Sequence, residues 1–222
     1  MRWDSGIWAG QMSRCVIIGG SEIRNYPLMR SYFRPDDYVI YCDCGLKHAE
    51  ALGVSPSLII GDFDSHPKPE NMENVIELPV VKDDTDTIFA VKEAIRRGFS
   101  EVLMIGVTGG REDMTLGNIY ALLMMRNAGM SAMIADDYSE ISIITAGETV
   151  RVKWGWRFFS LLNITGKASG ITITGAKYNL DNAEITPEFQ YGISNEVLSP
   201  EADAVISLNE GHLLLVCVRK RV

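Results

Sequence analysis

Six short apolar runs in the first 137 residues constrain this chain more than any other feature: 15-CVII-18, 38-YVIYC-42, 57-SLII-60, 75-VIEL-78, 102-VLMI-105 and 132-AMIA-135. Most lack strict polar alternation, so they read as strands covered on both faces. Between them, 85-TDTIFAVKEAIRRG-98 puts Ile88, Val91 and Ile95 on one helical face, carries basic residues in its last turn and stops at Gly98. The segment 115-TLGNIYALLMMRNAG-129 repeats the design with Leu116, Ile119, Tyr120 and Leu123, and ends at Gly129. Strands alternating with helices predict a mostly parallel, three-layer α/β domain over residues 13–137.

After 136-DDYSE-140 the texture changes to strand runs separated by turn residues: 141-ISIITAGE-148, 149-TVRVKW-154, 157-RFFSLLNIT-165, 171-ITITG-175 and 205-VISLNEGHLLLVCV-218. Thr172 and Thr174 alternate with Ile171 and Ile173, and 209-NEG-211 predicts a hairpin turn. An antiparallel β-sandwich is therefore expected over residues 138–222. Residues 1–12, ahead of the first strand, read as an N-terminal extension.

Composition narrows the function classes. The net charge of -8 argues against a general nucleic-acid binder, which would show a basic face. Cys42 and Cys44 are one residue apart while Cys15 and Cys217 are isolated, so neither a CxxC zinc pair nor a disulfide framework is visible. Reduced thiols and a cytoplasmic location are expected. No run has the length and apolarity of a signal peptide core or a membrane span, so secretion and membrane anchoring are not expected.

If the first domain is parallel, its acidic and glycine-rich clusters converge. Gly19 and Gly20 follow the first strand, Asp43 the second, Asp62 and Asp64 the third, 82-KDDTD-86 the fourth and 109-GGRED-113 the fifth. All fall at the carboxyl edge of one sheet, where open α/β folds bind ligands. Singly, each has a plainer reading: an Asx-turn for Asp62 and Asp64, a helix cap for Asp84 or Thr85, a turn residue for Asp43, a surface ion pair for Arg111 and Asp113. Together, carboxylates crowded at one edge repel unless a divalent cation lies between them, and hard oxygen ligands suit magnesium bridging to substrate phosphates. Lys82 and Arg111 are the natural countercharges for such phosphates. The stretch 170-GITITGAK-177 is not a P-loop, because it has one residue too many before the lysine and sits among strand signals.

The ordered set 61-GDFDS-65, 82-KDDTD-86, 109-GGREDMTLGNI-119 and 194-SNE-196 strongly resembles the thiamin pyrophosphokinase family. The resemblance implies a homodimer with the thiamin site near the subunit interface, transferring the pyrophosphoryl group of ATP to thiamin with Mg2+ and releasing AMP. It implies that Asp62, Asp64 and Asp86 hold the metal and ATP phosphates, with Asp43 beside them, and that Lys82, Asp83, Thr85, Arg111, Asp113 and Asn118 complete the nucleotide and phosphate site. Asp113 is the residue best placed to assist deprotonation of the attacking hydroxyl. In the β domain, Tyr178 follows the family's TxTGxK stretch and is expected to stack on thiamin, a flat aromatic cation. Ser194 and Asn195 are expected to hydrogen-bond its aminopyrimidine.

One departure stands out: after GGRxD the family usually carries a histidine or another polar residue, and here Met114 follows. A methionine neither accepts nor delivers a proton, which motivates one alternative, a non-catalytic thiamin or nucleotide sensor. A nucleotide-sugar transferase using Asp62 and Asp64 as a DxD would explain the acidic pair but not the TxTGxKY and SNE stretches. His48, His66 and His212 are scattered and read as structural or surface residues.

Overall fold

The computed structural model describes residues 14–64 and 74–220. The expected extension at residues 1–12, together with Ser65 and His66, lies outside the described residues. These form two compact units meeting between Asp137 and Tyr138.

In the first unit every expected strand forms: β1 (Cys15–Ile18), β2 (Tyr38–Cys42), β3 (Leu58–Gly61), β4 (Val75–Glu77), β5 (Glu101–Ile105) and β6 (Ser131–Ala135). They pair in the order β4-β3-β2-β1-β5-β6, all parallel. Continuous apolar character has the expected consequence: all four residues of β1 are fully buried. The chain steps outward from β1 to β4, then crosses back to place β5 on the other side of β1. Strand order therefore reverses between β1 and β5, the kind of switch point beside which α/β sheets bind ligands. There Gly19 and Gly106 pack backbone to backbone, and a methyl group on Gly19 would stand 2.6 Å from the Gly106 carbonyl oxygen. Only glycine permits that approach.

Among the described residues four helices accompany the sheet: α1 (Tyr26–Arg30), α2 (Ala49–Leu52), α3 (Asp86–Arg96) and α4 (Glu112–Asn127), with a 3-10 turn at Asp43–His48. Thr85 caps α3 by accepting a hydrogen bond from Ile88 N at 3.2 Å. Helix α4 begins three residues before the expected Thr115, because Glu112 and Asp113 fill its first turn, where carboxylates favour the helix dipole. Its buried face also differs from expectation. Asn118, Ala121, Leu122 and Met125 point inward, whereas Leu116 and Tyr120 are 56 % and 52 % exposed. The helix is apolar nearly all round, so periodicity could not choose the face.

The second unit holds β7 (Ser139–Thr145), β8 (Thr149–Val152), β9 (Phe158–Leu162), β10 (Ala168–Thr174), β11 (Leu180–Glu184), β12 (Ala204–Ser207) and β13 (Glu210–Val218). Its strands pair antiparallel, with β13 between β7 and β9, and β10 between β11 and β12. Ile144, Val152, Phe159, Ile171, Ile206 and Leu213 contribute to one shared core. Over the described residues antiparallel ladders outnumber parallel ones, six to five, so the chain is an α/β protein of mixed pairing and the parallel ladders belong to the first unit alone.

The expected hairpin at 209-NEG-211 is not formed. Instead β12 and the start of β13 run end to end along β10 in a single register, Thr172 facing Ser207 and Ser169 facing Glu210. The ladder is interrupted at Gly170, whose φ of 67° and contact with Asn209 leave no room for a side chain. The turn residues therefore interrupt one antiparallel line and do not reverse the chain. Among the described residues no helix is long and apolar enough to cross a membrane.

Candidate active site

Three carboxylates meet at the carboxyl edge of β2 and β3. Asp43 follows β2, Asp62 follows β3, and Asp86 opens α3; one oxygen from each lies within 4.8 Å of the others. Asp43 is buried and adopts a φ of 31°, a left-handed conformation rarely taken by residues other than glycine, asparagine and aspartate. Oδ1 of Asp43 and Oδ1 of Asp86 are buried without a hydrogen-bond partner. Asp86 Oδ1 still has the Lys82 ammonium as an ion-pair partner, so Asp43 Oδ1 is the oxygen left with neither, and an unsatisfied buried carboxylate oxygen in a cluster of like charge suits a cation.

Lys82 is the countercharge. Its ammonium donates to Asp62 Oδ2 and stands 2.9 Å from Asp86 Oδ1, an ion pair without hydrogen-bond alignment. The hydrogen bond from Lys82 holds the Asp62 carboxyl below its usual range. Burial pushes Asp86 upward, with Asp62 and Asp43 adding to the effect against the pull of Lys82. For Lys82 burial acts downward, but Asp62 and Asp86 together outweigh it and raise the ammonium. Asp64, expected as a metal ligand, is exposed and lies outside this trio; its backbone N–H donates to Asp62 Oδ1 at 3.3 Å. Asp83 is exposed, and Asp84 pairs with Lys92 at 2.5 Å.

A second group lies beyond β1 and β5. The Gly19-Gly20-Ser21 loop is held by Ser21 N donating to Gly106 O at 2.8 Å and by His48, which bridges Ser21 O at 2.9 Å and the Tyr26 hydroxyl at 2.8 Å. Since a carbonyl only accepts, His48 Nε2 carries the proton and Nδ1 accepts from Tyr26. Burial lowers the His48 pKa, consistent with that neutral form. Arg111 and Asp113 form the surface ion pair, at 2.5 Å with both side chains 66 % exposed, and the Arg111 hydrogen bond keeps the Asp113 carboxyl low. Asn118 is buried and donates its amide to Val107 O at 2.7 Å, fastening α4 to the loop after β5.

In the second unit Tyr178 is 59 % exposed, and Lys177 Nζ sits 5.6 Å from its ring centroid. Ser194 is exposed at a φ of 59°, with its N–H donating to Ser160 Oγ. Asn195 is buried and its amide is engaged with backbone: Oδ1 accepts from Tyr178 N at 3.0 Å and Glu196 N at 2.9 Å, and one N–H of Nδ2 donates to Tyr178 O at 2.8 Å. Sequence reasoning missed that use of Asn195; it read His48 as structural or surface, and the residue is structural, but its partners were not foreseen. Neither spacing nor periodicity encodes a contact across 17 or 27 residues.

The sequence and the fold both match those of known proteins. The catalytic-domain model of thiamin pyrophosphokinase matches residues 29–134, and the vitamin B1 binding-domain model of the same enzyme matches residues 143–213. The chain belongs to the thiamin pyrophosphokinase family. A thiamine pyrophosphokinase of Bacillus subtilis is 27 % identical over 212 residues, covering 92 % of this chain and 98 % of that protein. Among solved structures, the thiamin pyrophosphokinase of Geobacillus thermodenitrificans superposes with a TM-score of 0.81 at 26 % identity, covering 94 % of this chain and 98 % of that one. The yeast enzyme, at 15 % identity with a TM-score of 0.75, covers 93 % of this chain and 86 % of its own, and speaks for the fold. As a thiamin pyrophosphokinase family member this chain is an enzyme, a kinase of thiamin diphosphate biosynthesis. Met114, the departure from the family pattern, lies partly buried in the first turn of α4 beside Asp113.

Proposed function

We propose that this enzyme transfers the pyrophosphoryl group of ATP to the hydroxyl of thiamin in the presence of magnesium, giving thiamin diphosphate and AMP. The observation that carries the reading is the trio of Asp43, Asp62 and Asp86, in which Asp43 Oδ1 is buried without a partner and Asp86 Oδ1 has only its ion pair with Lys82. Those hard oxygen donors fit a divalent cation, and the three residues would hold it, with Asp64 available beside Asp62 as an outer contact. A magnesium ion held by these carboxylates would supply charge neutralisation for the polyphosphate.

The chain's own residues supply the rest. Lys82 turns from the carboxylates toward phosphate oxygens, exchanging one set of anions for another, and Arg111 adds a second cation. Thr85 and Asp83 border the triphosphate at the start of α3, while Asn118 keeps the loop after β5 in place for the nucleotide. The thiamin hydroxyl oxygen attacks the β-phosphorus, the bond from that phosphorus to the oxygen shared with the α-phosphate breaks, and AMP departs. Asp113, kept ionised by Arg111, orients the hydroxyl by accepting its hydrogen bond and takes its proton as the oxygen–phosphorus bond forms, passing it on to water. Tyr178 stacks on thiamin, and Ser194 lies beside it in a strained conformation of the kind found at ligand clamps.

The reading extends to architecture: a three-layer α/β domain for ATP at residues 13–137 and a β-sandwich for thiamin at 138–222, supported by the separate matches of the two family models and the shared core of the second unit. A homodimer and a cytoplasmic location follow from the resemblance alone. The test is incubation of the purified protein with ATP, thiamin and magnesium, with products resolved chromatographically. Thiamin diphosphate and AMP must appear together and vanish with chelator. A folded protein that binds thiamin and makes neither would sink the proposal.

A further inference from the structure

Asn195 occupies an unusual place between two lines of backbone. On one side its main chain exchanges a pair of hydrogen bonds with Phe159, N–H to carbonyl in both directions at 2.8 Å. On the other side residues 176–178 run antiparallel to 195–198: Ala176 bridges Val197, Lys177 N donates to Glu196 O at 2.9 Å, and Leu198 N donates to Gly175 O. Continued in the same register, Tyr178 falls opposite Asn195. The main chain of Asn195 is already committed to Phe159, so its side chain takes over. Oδ1 accepts from Tyr178 N and Nδ2 donates to Tyr178 O. A carboxamide presents one acceptor and one donor in the arrangement of a peptide group, which is why it can complete a ladder where a hydroxyl or carboxylate could not.

We propose that Asn195 is a positioning residue for thiamin: its carboxamide replaces a missing peptide group, fixes the main chain of Tyr178, and so aims the exposed ring at the substrate without touching the substrate. The inference rests on the reading that Tyr178 stacks on thiamin. Its physical content is that an exposed aromatic loses binding power unless its backbone is held, because a mobile platform must be ordered at the moment of binding. Tyr178 has no flanking strand of its own, since β10 ends at Thr174 and β11 begins at Leu180. Its own main-chain groups are held by Asn195, while Asn179 Oδ1, accepting from Ala176 N at 3.1 Å, closes the turn around it. The Lys177–Glu196 ion pair at 2.8 Å lies at the surface and adds little.

A double-mutant cycle on the full-length enzyme tests this. Asn195→Ala is expected to raise the thiamin KM about tenfold, the equivalent of one lost hydrogen-bonded restraint. The ATP KM and kcat should change less than twofold, and amide exchange at Tyr178 should accelerate. In a Tyr178→Ala background the same substitution should have no further effect on the thiamin KM. Effects of the two changes that multiply would mean Asn195 meets thiamin itself, and an unchanged thiamin KM with faster Tyr178 exchange would leave only a structural clamp; either overturns the inference while leaving the stacking role of Tyr178 intact. If Tyr178→Ala alone leaves the thiamin KM unchanged, the stacking reading itself fails and the inference with it. Should Asn195→Ala not fold, Asn195→Asp carries the same cycle, since it keeps the shape and the acceptor and replaces the donor to Tyr178 O with a carboxylate oxygen that repels it.

Discussion

Gly61 lies so close to Asp43 that a methyl group added to it would stand 2.9 Å from Asp43 Cβ and 3.0 Å from Asp43 Cα. The last residue of β3 is thus a glycine because the acidic residue after β2 needs the space. Gly61→Ala should push Asp43 away from Asp62 and Asp86. Misplacement of this size is expected to cost about tenfold to a hundredfold in kcat. Steady-state kinetics that show no change would disconnect Asp43 from the chemistry.

Asp43→Asn separates function from stability. Asparagine tolerates the positive φ of position 43, fills the same volume and removes one of three crowded charges. In metal-free buffer the melting temperature should stay level or rise by about 2–4 °C. Turnover should fall by about a hundredfold. Asp64→Asn should likewise depress turnover more than stability. Thermal melts and kinetics on the same preparations distinguish this from equal losses in both, the mark of a structural role.

Removing the countercharge should do the reverse. Lys82→Met leaves Asp62 and Asp86 without their ammonium partner. The metal-free protein should lose about 1–3 kcal/mol. Millimolar magnesium should restore more of that stability in the variant than it adds to the parent, because a divalent ion supplies the missing charge. Denaturant melts with and without magnesium decide the matter, and a loss that magnesium leaves untouched would show that the trio does not bind it.

Acid sensitivity has a source away from the site. The hydrogen bond from Arg96, reinforced by Arg97, pulls the buried Glu93 carboxyl from 4.5 down to about 2 despite its burial. The folded state therefore binds this proton less readily than the unfolded state. Its contribution is complete above about pH 4.5 and is lost as the pH falls toward 2, on the order of 2–3 kcal/mol. Glu93→Gln should flatten the stability profile over that interval, whereas an unchanged profile would exclude Glu93 as its source.

Much of the first unit was legible because strands buried on both faces are written as bare apolar runs, and their ends name the residues that gather at one edge. The convergence of Asp43, Asp62 and Asp86 followed from that rule. Their exact grouping did not, since the exclusion of Asp64 depends on the side on which Phe63, at a φ of 57°, turns the chain. The buried face of α4 was hidden by apolar residues on all sides. In the second unit strand pairing is set by contacts distant in sequence, so turn residues at 209-NEG-211 predicted a hairpin where the chain continues along β10. The role of Asn195 lay beyond reach for the same reason.

The central claim is attack at the β-phosphorus, and the fate of the α-phosphorus tests it most directly. With ATP labelled at that atom, thiamin and magnesium, the label should leave wholly as AMP at the rate at which thiamin diphosphate forms. Label recovered in ADP, alongside thiamin monophosphate, would contradict the account.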